Sequence, residues 1–154
     1  MTGMLFSLPY EIFYERLIQY LRANLPLEVS RRKPKYKTRS NRMQIFLEDI
    51  KGSHYEMCFR RGCHEFALHF ESTPSRSLSR KQAFDPHLDS LGEKLGEVIR
   101  SGPHENRGWM RVWMEQPTRE LTTSILEKYQ VLFTRFVAIT FPILERDYLQ
   151  EEYE

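Results

Sequence analysis

Apolar residues follow a helical period near the two ends of the chain and a strand period between them. The segment 9–25 predicts an amphipathic helix, because its apolar residues recur three and four positions apart. We expect Ser7 to cap this helix and Pro26 to follow its end. The apolar stripe of the helix carries Ile12, Phe13, Leu17, Tyr20 and Leu21. A stripe of this kind indicates a helix that covers one face of a sheet.

Four segments between the terminal helices alternate apolar and polar residues, which is the pattern of half-buried strands. These segments are residues 42–50, 54–60, 63–71 and 108–115. The pair Arg61-Gly62 predicts a two-residue hairpin loop, which places His54 opposite His69 in the register of the second and third strands. The middle of the chain is therefore expected to form an antiparallel sheet.

The hairpin register assigns the side chains of these two strands to opposite faces. The apolar face carries Tyr55, Met57, Phe59, His64, Phe66, Leu68 and Phe70. The mixed, more polar face carries His54, Glu56, Cys58, Arg60, Cys63, Glu65, Ala67, His69 and Glu71. The pattern leaves open whether a second layer covers the polar face.

Two further helical regions complete the predicted fold. Residues 75–100 indicate helical structure, whose second part begins at the N-cap Asp85. Residues 118–140 predict the last helix, which Pro142 breaks or kinks before an acidic helical tail over residues 142–154. The order α-β-β-β-α-β-α predicts an α+β fold, with helices packed on an antiparallel four-stranded sheet.

A dense basic run, RRKPKYKTRSNR at residues 31–42, lies between the first helix and the first strand. The chain has 23 Lys and Arg against 21 Asp and Glu, so the seven cations of this run leave 16 against 21 elsewhere. Pro34 and the repulsion of like charges disfavour a helix, so we expect an extended loop. Charge segregation of this kind indicates a polyanionic partner.

The basic run suggests contact with nucleic acid, because cations follow a phosphate backbone and aromatic rings stack on unpaired bases. We expect the tryptophans of the fourth strand to share the polar face of the sheet with Arg60. The candidate nucleic-acid-binding residues are Arg31, Arg32, Lys33, Lys35, Tyr36, Lys37, Arg39, Arg42, Arg60, Trp109, Arg111 and Trp113. If all seven cations of the run engage phosphates, about six counterions are released on binding.

Length and composition fit one globular domain over residues 1–154, with 40% hydrophobic and 13% aromatic residues. The longest uncharged apolar stretch, residues 136–144, is too short to cross a bilayer. The N-terminal segment lacks the basic start of a secretory signal, so we expect a cytoplasmic protein with reduced thiols. No glycine-rich phosphate loop is present in the sequence, and we expect no cofactor.

The residues that could bind a metal lack a recognisable pattern. Cys58, Cys63 and His64 do not have the paired spacing of a zinc site, and the hairpin register directs His64 to the opposite face. We therefore expect no metal site. His54 and His69 face each other, and we expect one to be solvated and the other to bond a neighbouring carboxylate such as that of Glu71.

The segment from Tyr55 through the final helix resembles a bacterial domain family of unknown function found at the C-terminus of restriction-endonuclease-like proteins. The resemblance depends on ALHFES at residues 67–72, TPSR at residues 73–76 and WMRVW at residues 109–113. It implies an α/β sandwich and an association with antiviral defence or mobile elements. It supplies no catalytic residues, and we expect no attached nuclease domain.

Functions of different classes remain open at this point. The first is a non-enzymatic binding module or regulatory subunit that contacts nucleic acid or a nucleoprotein complex. The second is a protein-interaction subunit or homodimer that uses the aromatic fourth strand or the last helix, with the acidic tail as a neutralising partner for the basic run. A metal-dependent nuclease would use Asp49 and Lys51, but no second acid is placed before them.

Overall fold

The computed structural model describes residues 7–153, with side chains as far as residue 151. Within this range the helices are α1 Tyr10–Asn24, α2 Leu27–Ser30, α3 Pro74–Phe84, α4 Leu88–Leu95 and α5 Thr123–Tyr153. The strands are β1 Pro34–Arg39, β2 Arg42–Leu47, β3 Ser53–Phe59, β4 Cys63–Phe70, β5 Arg100–His104 and β6 Trp109–Pro117. All pair antiparallel in one six-stranded sheet of order β1-β2-β3-β4-β6-β5. The fold is α+β, as the sequence pattern predicts.

The apolar core lies between one face of the sheet and the helices, above all α1 and α5. Phe66 of β4 packs edge-on against Tyr129 of α5 with ring centroids 4.9 Å apart, and the Tyr55 hydroxyl lies 2.8 Å from Thr140 Oγ1. Each aromatic side chain buried in this way contributes roughly 1.5–3 kcal/mol of transfer free energy. The residues on the apolar face of the predicted hairpin are all buried in this core or at its border.

The predicted register of the β3–β4 hairpin is confirmed. Phe59 pairs with His64 and His54 pairs with His69 across the two-residue loop. The first helix is also confirmed within one residue at each end, but Pro9 rather than Ser7 occupies the N-cap and no side chain caps the helix. The alternation of apolar and polar side chains was sufficient to predict the register of the hairpin, because its apolar face must be buried in the core.

The prediction of four strands was wrong, because β1 and β5 join the sheet as its two edges. β1 occupies the segment expected to be a basic loop, and β5 follows the end of the predicted helical region. An edge strand needs no apolar face and tolerates proline, since one side of its backbone is unpaired. Pro34 begins β1 and Pro103 lies within β5, so Pro34, which excludes a helix at the basic run, is compatible with an edge strand there.

The predicted region 75–100 divides into two helices joined by a 3-10 turn, Asp85–His87. Thr73 caps α3, its hydroxyl accepting a hydrogen bond from the Arg76 amide at 3.3 Å. The predicted N-cap Asp85 has helical backbone angles and instead accepts hydrogen bonds from the side chains of Lys81 and Ser101. It therefore ties the turn to β5 rather than starting a helix.

Of the break or kink predicted at Pro142, the break does not occur, because α5 continues through this proline to Tyr153. Proline removes one backbone donor from a helix and crowds the preceding turn, at a cost of about 3 kcal/mol. Phe141 and Leu144 on either side of Pro142 are buried in the core. Their burial offsets that cost and holds the helix together across the proline.

Gly92 of α4 permits a close approach that a larger residue would prevent. A Cβ at this position would lie 2.6 Å from the Glu97 carbonyl oxygen, in the turn that ends the helix. We expect Gly92→Ala to lower the free energy of unfolding by about 1–3 kcal/mol, measured by urea denaturation. Gly62→Ala is the matched control, because a Cβ there meets nothing within 4 Å. Equal midpoints for the two variants would contradict this account.

Candidate nucleic-acid interface

The second face of the sheet, here called the open face, is not covered by any of the helices described for residues 7–153. The strand registers align its side chains in rows that cross the whole sheet. The central row consists of Lys35, Phe46, His54, His69, Arg111 and Gly102. The neighbouring row consists of Lys37, Gln44, Glu56, Ala67, Trp113 and Arg100. The open face therefore carries polar and aromatic side chains across all six strands, which are exposed along β1 and buried at the centre of the sheet.

Three cations of the basic run lie on the open face along the edge strand β1. Lys35, Lys37 and Arg39 alternate with residues of the opposite face, and all three are exposed. Among residues 7–151, none of them has a carboxylate within 4 Å, although the Lys37 ammonium lies 4.8 Å from the centre of the Phe46 ring. These charges are available for an external anion.

Two other cations of the run bind the protein's own carboxylates. Arg32 donates to Asp49 at 2.7 Å and to Glu145 of α5 at 2.9 Å, so it fastens the start of β1 to the last helix. Arg42 Nη1 lies 4.0 Å from Glu56 Oε1. Glu145 of the acidic C-terminal segment thus neutralises one residue of the run, as the sequence allowed.

Tyr36, predicted as a nucleic-acid-binding residue, does not lie on the open face with the β1 cations. It points to the helical side of β1, where its hydroxyl is buried without a hydrogen-bond partner among the described residues. The Arg22 guanidinium lies 5.1 Å from the centre of its ring. Burial raises the pKa of Tyr36 to about 12, although Arg22 opposes the shift. The alternation of β1 itself explains the placement, since Tyr36 lies between Lys35 and Lys37.

Arg60 and Arg111 lie on the open face, as the sequence predicts, but they share one internal partner. Arg111 Nη1 donates to Glu65 Oε1, and Arg60 Nε lies 3.6 Å from Glu65 Oε2. Glu65 is only 2% exposed, so this pairing compensates a buried carboxylate. The two arginines therefore stabilise the sheet and contribute less free charge than the residues of β1.

The two tryptophans of β6 also lie on the open face, and both are half-buried. Arg111, which Glu65 fixes, lies 3.9 Å from the centre of the Trp113 ring. Arg107 lies 5.0 Å from the centre of the Trp109 ring, and its side chain is 68% exposed. Arg107 lies 3.9 Å from the exposed Glu105 carboxylate, whereas Arg111 is paired with the buried Glu65. The ring of Trp109 is therefore covered by the more exposed of the two arginines.

The centre of the open face holds a cluster of histidines and glutamates that the sequence placed on one face without assigning it a role. His54, Glu56 and His69 are buried, and each has charged or aromatic neighbours on the adjacent strand. Burial alone would raise the pKa of Glu56, but a hydrogen bond from His54, the nearby His69 and a hydrogen bond from Gln44 lower it to about 2. The expectation that one histidine is solvated was wrong, because both are buried by neighbouring side chains.

The residues weighed as a zinc site in the sequence lie apart in the structure. Cys58 and Cys63 are free thiols on the open-face side, whereas His64 points into the core and lies 2.6 Å from the Tyr129 hydroxyl. Burial lowers the pKa of His64. Asp49, the acid considered for a nuclease, lies in the turn between β2 and β3, and its carboxylate pairs with Arg32. This pairing weakens the case for a nuclease role of Asp49.

Within the described residues, no helix combines the length and apolar composition that a membrane crossing requires. No family model matches the chain, and no curated protein matches it. Among solved structures, YbjN from E. coli, described as a candidate transcription regulator, is similar over 96% of this chain and 97% of that chain. The two chains are 13% identical and the TM-score is 0.48. A likeness of this degree does not assign a family, and the resemblance to restriction-associated domains stays a prediction.

Proposed function

We propose that this chain is a non-enzymatic module that binds single-stranded nucleic acid on its open face. The observation that supports the proposal is the row of exposed cations on β1, namely Lys35, Lys37 and Arg39. They have no carboxylate within 4 Å among residues 7–151, and they border a sheet face with aromatic side chains that none of the described helices covers. A role as a regulatory subunit in a defence or mobile-element system is the setting that the sequence resemblance suggests.

The layout of the face suits a strand that lies across the sheet rather than along it. Lys37 on β1 and Trp113 on β6 are separated by four strand steps, or about 19 Å at ~4.8 Å per step. Phosphates would contact the β1 cations while bases reach the aromatic rings of β6. Aromatic stacking requires unpaired bases, so a single strand fits this face better than a duplex.

The alternative, a homodimer formed through the last helix, has less support. The large apolar residues of α5 are mostly directed into the core, including Phe133, Phe136 and Phe141. Among the described residues of α5, Val131 and Leu149 are the exposed large apolar side chains. Two separated residues do not form the contiguous apolar patch that a stable helix-mediated dimer needs.

The test removes the β1 cations and leaves the sheet intact. We expect the triple variant Lys35→Gln/Lys37→Gln/Arg39→Gln to bind a fluorescein-labelled oligouridylate of about 15 nucleotides roughly 100-fold more weakly than the wild type at ~0.1 M salt. The estimate follows from about 0.7 counterions released for each phosphate contact on a single strand. Fluorescence anisotropy measures the affinity, and an oligothymidylate of equal length separates RNA from DNA preference.

The matched control removes the same charge from the helical side. Arg16→Gln/Lys94→Gln/Lys128→Gln changes three exposed cations on α1, α4 and α5, and we expect it to bind as the wild type does. Equal weakening by both triple variants would mean that net charge alone governs binding. No binding by the wild type, together with a dimer in light scattering, would replace the proposal with the protein-interaction alternative.

A further inference from the structure

The buried cluster at the centre of the open face has donor atoms at the separations of a metal site. His54 Nε2 lies 3.6 Å from Glu56 Oε1, and His69 Nε2 lies 3.8 Å from Glu56 Oε2. The three ligand atoms lie within 4.8 Å of one another. Tetrahedral ligands at about 2.0–2.2 Å from zinc are separated by roughly 3.3–3.5 Å. The two histidine–glutamate separations lie within a few tenths of an ångström of that value, and the two imidazole nitrogens would have to approach to the same separation.

A buried nitrogen without a partner points into this cluster. His69 is 1% exposed, and its Nε2 has no hydrogen-bond partner among the described residues. An unsatisfied polar atom at this depth is destabilising, so a ligand that it could bind would relieve the penalty. The nitrogen faces the Glu56 carboxylate at a distance too long for a hydrogen bond and suitable for a shared cation.

Outer carboxylate and amide groups hold the cluster in the orientation that metal binding requires. Glu71 Oε2 lies 3.2 Å from His69 Nδ1, and Glu71 Oε1 lies 4.0 Å from His54 Nδ1. The Glu71 carboxylate at His69 Nδ1 favours the proton there and leaves the Nε2 lone pair of His69 free for a metal, whereas its separation from His54 Nδ1 is too long for a hydrogen bond. At His54 the metal would replace the hydrogen bond from this histidine to Glu56. Gln44 Nε2 donates to Glu56 Oε1 at 2.8 Å and fixes that carboxylate in the same way.

We propose that His54 Nε2, Glu56 and His69 Nε2 bind one divalent transition-metal ion of the zinc class on the open face. Two imidazoles and one carboxylate suit zinc or cobalt and disfavour magnesium, which prefers oxygen ligands. The set provides three protein ligands and leaves a fourth position for water. A cavity of about 180 Å³, lined by Glu56, His69, Glu71 and His104 among others, opens beside the cluster and gives that position access to solvent.

The experiment titrates the metal-free protein with Zn²⁺ in a calorimeter and with Co²⁺ in a visible spectrophotometer, without nucleic acid. We expect one ion per chain, a Co²⁺ spectrum of low coordination number, and no heat with Mg²⁺. We expect His69→Gln to weaken Zn²⁺ binding by more than about 100-fold, and Glu71→Gln, which changes an outer partner, by about 10–100-fold. Because nucleic acid is absent, the result is independent of the proposed function.

Controls separate this site from other ligands and from loss of fold. Cys63→Ser tests a second group, formed with Glu65 and Glu115, and we expect it to leave Zn²⁺ affinity unchanged. Glu56→Gln preserves the side-chain shape and supplies a second ligand variant, with circular dichroism as the check on folding. No Zn²⁺ uptake by the wild type, loss of binding in Cys63→Ser, or wild-type affinity in folded His69→Gln and Glu56→Gln would each overturn the proposal.

Discussion

Replacement of Arg80 by methionine is expected to lower the free energy of unfolding by about 3 kcal/mol, the largest stability effect anticipated for a polar residue of this chain. Arg80 is 2% exposed and joins three parts of the fold. Its Nη1 donates to the Lys51 carbonyl and to the hydroxyl of Ser53, the first residue of β3, while Nε and Nη2 donate to Glu151 near the end of α5. Methionine would leave the buried Ser53 hydroxyl and the partly buried Glu151 carboxylate without this donor.

The control variants for Arg80 involve the same carboxylate, that of Glu151. Arg76 Nε lies 4.0 Å from Glu151 Oε2, but the Arg76 side chain is 60% exposed, so Arg76→Ala should change stability by less than about 0.5 kcal/mol. Adding Glu151→Gln to Arg80→Met should recover part of the loss, because it removes the unpaired charge. Urea denaturation measures all four proteins, and coincident curves for wild type and Arg80→Met would refute the assigned role.

Removal of the Trp109 ring is expected to weaken binding of single-stranded nucleic acid by about 1–3 kcal/mol, or roughly 5- to 150-fold. The reason is that the base that stacks on Trp109 would lose its aromatic partner. Trp113→Ala should have a smaller effect, since Arg111 already occupies its ring and Glu65 holds Arg111 in place. Anisotropy titrations with the same oligouridylate compare the two variants.

The order of the two tryptophan effects distinguishes stacking from general packing. Trp109→Phe keeps an aromatic face and should retain most of the affinity, whereas Trp109→Leu should not. A larger loss of affinity for Trp113→Ala than for Trp109→Ala would show that the exposure of a tryptophan ring does not determine its contribution to binding. Unchanged affinity in both alanine variants would remove β6 from the proposed interface.

The centre of the sheet was predictable from sequence because its side chains alternate between core and open face. A slip of one residue in the β3–β4 hairpin would have put Tyr55 and Phe66 on the wrong face, so the pattern specified the register. The edges were not predictable in this way. The segment with Lys35 and Lys37, which forms β1, was predicted to be a loop. An edge strand with one exposed face carries no apolar alternation that would identify it.

The candidate site was predictable in part. The sequence placed Arg60, Arg111 and the tryptophans on one face correctly, but the internal pairing by Glu65 depends on the β4–β6 register, which joins segments far apart in the chain. The cluster of His54, Glu56 and His69 is visible as alternate positions on a hairpin. Its burial was not visible, because that depends on β2 and β6 lying on either side.

The central claim is that the exposed cations of β1 contact phosphates, and the salt dependence of binding tests it most directly. Affinity for the oligouridylate should be measured across a range of NaCl concentrations for the wild type, the β1 triple variant and the helical-side control. The account expects the slope of log affinity against log salt to be shallower by about 2 in the β1 variant, and unchanged in the control. The same slope in the wild type and the β1 variant would contradict the claim.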